Sequence, residues 1–384
     1  MRHLIIALFL CTTVWTRANA AVLAPGLYEI SGKAVYVGVY NSPPRPPANN
    51  YFEPSGHRTG DLTNFPNARL KCGLHEERRI VDAPQGRLGA SLYYASGERR
   101  AAVILTHGGS AETRDVGFLV PYFVCNGIDV ISFDQRGTGD SIGDWFSTSP
   151  IQKADDVAAI YDAFRDDRLV DGERIGAFGG SNGGWVVPLV SLRRPLAFMI
   201  LKSAPSESVL SNADYEVTME MRGHKRSNAE IAQALSMWHT IESAANGKTS
   251  WEEADRALIA GEKQPWFAYS LMPKLPVPTP QAVSNGLHNY ITYDPSVTLT
   301  STTTPVLALY GSVDKLVDAA DSYAHMGAYL KSGGDRDVTL VMLPHADHYL
   351  EASSDGWNEY DPEHFVPGYP EVMLRWLRQR GFIV

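Results

Sequence analysis

The stretch whose residue types could do chemistry is Gly179-Gly180-Ser181-Asn182-Gly183-Gly184. It contains Gly-x-Ser-x-Gly at Gly179, Ser181 and Gly183, entered from the apolar run Ile175–Phe178 and left through a helix-like segment. That strand–turn–helix setting is what the motif needs. A serine on so sharp a bend holds a strained backbone, and side chains two residues away on either side would collide. The bend lifts the hydroxyl toward solvent and aims the following amide, that of Asn182, at the place where a carbonyl oxygen would become negative. Taken alone, the motif is also a glycine-rich turn containing a serine; the flanking strand and helix favour the nucleophile. A serine hydroxyl is a poor nucleophile at neutral pH, so a base must take its proton and a further group must orient that base.

On these residues the chain resembles the α/β-hydrolase superfamily. The Gly-Gly-Ser-Asn-Gly-Gly form is similar to the nucleophile turn of prolyl-oligopeptidase-like and serine-aminopeptidase-like hydrolases and of related bacterial esterases. The resemblance runs over roughly residues 75–384 and rests on five separate turns. In the superfamily the order is Ser, then Asp or Glu, then His. Asp314, in Gly311-Ser312-Val313-Asp314 just past the apolar run Val306–Tyr310, stands where the resemblance puts the acid, which disfavours Asp318. Two histidines compete for the base in Pro344-His345-Ala346-Asp347-His348. His348 matches the family pattern Pro-x-Ala-x-His, whereas His345 falls where a small residue is common; Asp347 is then a structural neighbour.

Further turns carry the same resemblance. The loop His107-Gly108-Gly109-Ser110 follows the buried-strand run Ala101–Thr106, where the superfamily supplies its second oxyanion amide; this implies Gly109, with Ser110 next. Asp134-Gln135-Arg136-Gly137-Thr138-Gly139-Asp140-Ser141 resembles the D-x-R-G-x-G-x-S turn, whose role is mainly structural, so Asp134 and Arg136 are expected to fix loops beneath the nucleophile. His107…Arg114-Asp115 and Gly183-Gly184-Trp185 bring the chain near exported bacterial hydrolases, a group that mixes esterases, thioesterases and peptidases. The implied mechanism is acyl transfer through a covalent intermediate on Ser181. His348 would be the base and Asp314 would stabilise its imidazolium, with the amides of Asn182 and Gly109 holding the oxyanion.

The elements that must position these residues follow from pattern. Ile128–Phe133 and Ala197–Leu201 join Ala101–Thr106 and Val306–Tyr310 as continuous apolar runs of buried parallel strands. Leu74–Tyr94 reads as two strands around Ala83-Pro84-Gln85-Gly86, and Asp155–Arg165 as a helix with a stripe at Val157, Ile160, Tyr161 and Phe164. Pro188 falls inside the helix after Ser181 and should kink it. Helices are also expected over Asp318–Lys331 and Glu371–Arg380, with a strand at Val338–Leu343 between them. The fold class is therefore an α/β-hydrolase fold, a mostly parallel sheet flanked by helices, with a helical cap insertion and a short β-rich N-terminal extension. The expected core is 74–205 with 297–384, the extension 21–73 and the cap 206–296. Ser227…Glu230 and Ser250…Glu253 are capping boxes within the cap, the second helix closing at Gly261; the Pro-rich Pro273–Pro280 returns the chain to the core. Met219, Met221, Trp238, Trp251, Trp266, Phe267 and Tyr269 would either line an apolar cavity or, each taken singly, simply hold the cap together.

Composition narrows the partners. With 44% hydrophobic and 20% charged residues, the 384-residue chain is ordinary for a globular protein. Its net charge of −9 offers no basic footprint for nucleic acid or anionic lipid. Residues 1–20 read as a signal peptide: Arg2 and His3, the apolar Leu4–Val14, and Ala18-Asn19-Ala20 as cleavage site, which implies export to the periplasm or beyond and no stable membrane anchor. Leu10 before Cys11 argues against a lipoprotein signal. The mature chain keeps Cys72 and Cys125, which either pair in an oxidising compartment or stay as two buried thiols. No metal ligand cluster and no cofactor motif emerges. The favoured activity is hydrolysis of a carboxylic ester. The alternatives are an exopeptidase acting on short peptides, with Glu216 and Glu220 as amino-terminus ligands, and an inactive hydrolase fold that serves as a binding protein.

Overall fold

The structure is a computed structural model that describes residues 24–30, 33–37, 51–52, 68–114, 117–272, 293–357 and 365–383. The expected leader at 1–20, the Pro-rich stretch at 41–50 with Arg45, Asp115 and the loop Pro273–Pro280 lie outside the described residues.

Eight strands form the central sheet: β5 (His75–Ala83), β6 (Gly86–Tyr94), β7 (Arg100–Thr106), β8 (Asp129–Phe133), β9 (Val170–Gly180), β10 (Met199–Lys202), β11 (Val306–Gly311) and β12 (Val338–Leu343). Their spatial order is β12-β11-β10-β9-β7-β8-β6-β5. From β12 to β8 neighbours run parallel, while β6 and β5 are antiparallel. The inner strands β7, β8, β10 and β11 are buried on both faces, which is why they read as unbroken apolar runs.

Helices cover both faces. On one lie α2 (Pro150–Phe164), α3 (Gly183–Ser191), α7 (Pro295–Thr300) and α8 (Ala319–Ser332). On the other lie α1 (Leu119–Val124) and α9 (Tyr369–Gln379). Helix α2 starts earlier than its apolar stripe suggested, because Ser149 and Gln152 form a capping box with Pro150 in the first turn. Pro188 sits within α3, which continues to Ser191.

The N-terminal extension is β-rich. β1 (Gly26–Ile30), β2 (Lys33–Val37), β3 (Tyr51–Phe52) and β4 (Arg69–Gly73) form a separate antiparallel sheet in the order β3-β2-β1-β4. It docks on α1, where the Tyr36 ring meets Phe118 and Tyr122 edge-on and its hydroxyl accepts from Asn126 Nδ2 at 2.9 Å. Cys72 and Cys125 are joined as a disulfide across 53 residues. Closing a loop of that length stabilises by about 4 kcal/mol in chain-entropy terms.

Between β10 and β11 the chain builds α4 (Val209–Gly223), α5 (Asn228–Ala245) and α6 (Trp251–Glu262). Both expected capping boxes, Ser227 with Glu230 and Ser250 with Glu253, are formed. Gly261 is not the helix stop: α6 runs on to Glu262, and a Cβ at Gly261 would lie 2.5 Å from Met237 Sδ, so packing is its reason. Met221, Trp238 and Trp266 are buried in a core of this insertion's own, with Trp251, Phe267 and Tyr269 packed on it. Among the described residues no helix is long and apolar enough to cross a membrane.

Candidate active site

The turn between β9 and α3 is as tight as the glycines require. Ser181 has φ +52°, a left-handed conformation that costs a non-glycine residue on the order of 1–3 kcal/mol. A Cβ at Gly179 would lie 2.4 Å from the Gly183 carbonyl oxygen, and one at Gly183 would lie 2.8 Å from that of His107. The chain crosses itself here with no room for side chains. Asn182 is the N-cap residue of α3, so the positive end of that helix points at the serine.

Asp314 and His348 meet on the same rim. His348 Nδ1 lies 2.9 Å from Asp314 Oδ2, and both side chains are buried. The other oxygen of Asp314 accepts the amides of Leu316 and Val317 at 2.8 and 2.9 Å, which fixes the plane of the carboxylate. It is Nδ1 that faces the carboxylate, which leaves Nε2 on the opposite side of the ring from Asp314. The His348 carbonyl accepts from Ser203 Oγ at 2.7 Å and from Lys202 Nζ at 3.5 Å. Lys202 also accepts the Ser181 amide through its carbonyl at 2.8 Å, so the serine turn and the histidine loop share one neighbour. From α4 of the helical insertion, Tyr215 donates its hydroxyl to the Asp314 carbonyl at 2.9 Å.

The competing residues have other occupations. His345 is exposed at φ +57°, and its carbonyl accepts the Ser353 amide at 2.8 Å. Asp347 accepts the amides of Tyr349 and Glu351, both at 2.9 Å, and shapes the histidine loop. Asp318 caps α8 through the Asp321 amide. Glu220 is largely buried, with His224 3.6 Å away.

The loop after β7 brings a further group to the site. Gly108 donates its amide to Glu112 at 3.2 Å, while a Cβ on Gly109 would lie 2.4 Å from Asn182 Nδ2. Gly109 is thus the residue of this loop that abuts Asn182. Burial would raise the Glu112 carboxyl, but hydrogen bonds from His107, Ser110 and Gly108 bring it down to about 2. Behind it the D-x-R-G-x-G-x-S turn is an ion-pair lattice. Asp134 accepts the amides of Arg114 and Asp140 at 2.8 Å and pairs with the Arg114 guanidinium, while Arg136 is clamped to Asp156. Asp134 and Arg136 therefore organise loops.

A family model described as serine aminopeptidase, S33, matches residues 97–354. The chain belongs to that α/β-hydrolase family. Its S33 core carries every turn described above, and the protein is a hydrolase of the esterase or peptidase kind. Among curated proteins no sequence matches. Among solved structures it is similar to a Pyrococcus furiosus esterase, with 15% identity and a TM-score of 0.52 over 80% of this chain and 91% of that one. It is also similar to a Pyrococcus horikoshii acylaminoacyl peptidase, with 12% identity and a TM-score of 0.52 over 93% of this chain and half, 50%, of that one. At such identities these likenesses concern the fold.

Four residues of the S33 core and cap escaped the sequence reading: Lys202, Ser203, Tyr215 and Glu112. Only Glu112, five residues past His107, lay close to a recognised motif; the others lie in stretches with no chemical signature. Glu207, Asp321 and His325 bring one ligand atom each within 4.8 Å of one another, and His325 Nδ1 lies 3.3 Å from Asp321 and 3.7 Å from Glu207. These contacts hold the root of the insertion against α8.

Proposed function

We propose that this protein is a serine hydrolase that cleaves carboxylic esters through an acyl-enzyme on Ser181. The observation that carries the reading is the buried His348–Asp314 pair at 2.9 Å, linked through Lys202 to a serine held at φ +52°. His348 takes the Ser181 proton as the hydroxyl oxygen attacks the carbonyl, and Asp314 stabilises the resulting imidazolium. The amides of Asn182 and Gly109 receive the oxyanion; that of Gly108 is taken by Glu112. His348 then protonates the leaving alcohol and activates water to release the acid. Residues 206–296 act as the cap that shapes the substrate pocket, and Tyr215 is its reach to the acid loop.

Reaction with a fluorophosphonate tests the nucleophile: the intact protein labels and Ser181→Ala does not. The family's description as a serine aminopeptidase favours a second reading, removal of residues from short peptides. Turnover of p-nitrophenyl acyl esters faster than aminoacyl nitroanilides supports the ester reading, and the reverse order replaces it. Export through the leader at 1–20 is part of the proposal, supported by the Cys72–Cys125 disulfide, which persists in oxidising compartments.

A further inference from the structure

Lys202 is the last residue of β10, directly beside Gly180 of β9. Its main chain faces the serine turn, since its carbonyl accepts the Ser181 amide at 2.8 Å. Its side chain runs along the strip left bare by Gly180, where a Cβ would lie 3.4 Å from Lys202 Cε. The ammonium ends 3.5 Å from the His348 carbonyl and 5.6 Å from the centre of the Tyr349 ring. The next residue aids the same carbonyl: Ser203 is fully buried, adopts φ +48° and donates to it at 2.7 Å. A non-glycine residue held in that conformation and spent on one hydrogen bond indicates that the position of this carbonyl matters to the fold.

Charge adds a second argument. The ammonium interacts with Asp347 and Glu351 of the histidine loop, Asp314 of the acid loop and Glu112 of the loop after β7. Those carboxylates come from three loops at this rim, and all four act on the Lys202 ammonium. Burial pushes the ammonium below the usual lysine range, and the same four carboxylates pull it back up.

We infer that Lys202 is a positioning residue that ties nucleophile to base: its main chain seats Ser181, and its ammonium holds the His348 backbone and offsets the negative charge of the loops that carry the base and its acid. The inference rests on the reading of Ser181, His348 and Asp314 given above. Removing the cation would leave these carboxylates, Asp314 at the imidazole among them, without that offset, and the expected consequence is a base that is available only at higher pH.

The test is the rate of fluorophosphonate labelling of Ser181 from pH 5 to 9 in the full-length protein, which needs no knowledge of the substrate. Lys202→Met is expected to label about 10-fold more slowly at pH 7. Its acid-side half-maximum should move up by about half a pH unit, while Lys202→Arg stays near wild type on both counts. Ser203→Ala, which removes only the neutral donor, should slow labelling roughly 3-fold and leave the acid limb in place. It also serves as the test should Lys202→Met fail to fold. Lys202→Met labelling at the wild-type rate with the wild-type pH profile overturns the inference and leaves the hydrolase reading standing. Equal losses in Lys202→Met and Lys202→Arg with no movement of the acid limb also overturn it, because loop packing alone would account for them. No labelling of the wild-type protein removes the reading of Ser181 itself, and the inference with it.

Discussion

Two sets of turns at the same rim of the sheet bring carboxylates out of water, and they pair them with different partners. In the turn after β8, Asp134 faces the Arg114 guanidinium and Arg136 faces Asp156, with every one of these side chains buried. In the turns after β11 and β12, Asp314 faces His348. A guanidinium keeps its proton throughout the accessible pH range, so the first set of pairs is inert and serves as scaffold. An imidazole can give up and take back a proton, so the second pair is the one to which the proposed mechanism assigns the proton cycle. Burial and short distances are common to both; the chemical nature of the partner, guanidinium or imidazole, is what separates them.

The largest effect should come from truncating the proposed nucleophile or base. Ser181→Ala or His348→Ala is expected to lower ester turnover by about 10,000-fold or more with unfolding midpoints near wild type. Arg136→Met should do the reverse. It leaves Asp156 as an uncompensated buried charge and costs about 3–5 kcal/mol in urea unfolding. Turnover per folded molecule should stay within about ten-fold of wild type. A catalytic collapse of folded Arg136→Met, matching that of His348→Ala, would erase the distinction drawn between the turns.

The other end of β8 sharpens it. Asp129 is fully buried, neither of its carboxylate oxygens has a hydrogen-bond partner, and burial raises its pKa to about 7. The folded state therefore holds this proton where the unfolded chain would release it. Stability falls as pH rises from the ordinary carboxyl range through about 7. Asp129→Asn should be more stable than wild type by on the order of 2–4 kcal/mol at pH 8, with the gap closing toward pH 4. Denaturant midpoints at the two pH values provide the measurement.

The smallest effect belongs to Glu112, held ionised down to about 2 by its partners in the loop after β7. Its contribution is present above the ordinary carboxyl range and is lost as pH falls from there toward about 2. Although its carboxylate oxygens are turned into the loop, 41% of the side-chain surface is open to solvent, which screens much of that contribution. Glu112→Gln should lower the melting midpoint by about a degree or two at pH 7, and the difference should shrink below about pH 4. A pH-independent difference would mean that the loop is held by its hydrogen bonds alone.

What the sequence by itself determined is local. The glycines at 179 and 183 follow from a chain that must cross itself within a few ångströms, and the buried strands show as unbroken apolar runs because both faces of a parallel sheet are covered. Capping boxes at Ser227 and Ser250 span three residues and could be read directly. The stop assigned to Gly261 failed because that glycine answers to Met237, 24 positions away, rather than to its own helix. The disulfide between Cys72 and Cys125 likewise needed the extension folded onto α1. Lys202, Ser203 and Tyr215 carry no motif at all. Their partners are carbonyl oxygens of residues 99 to 146 positions distant, and a carbonyl is present at every residue, so only the tertiary structure could say which ones they reach.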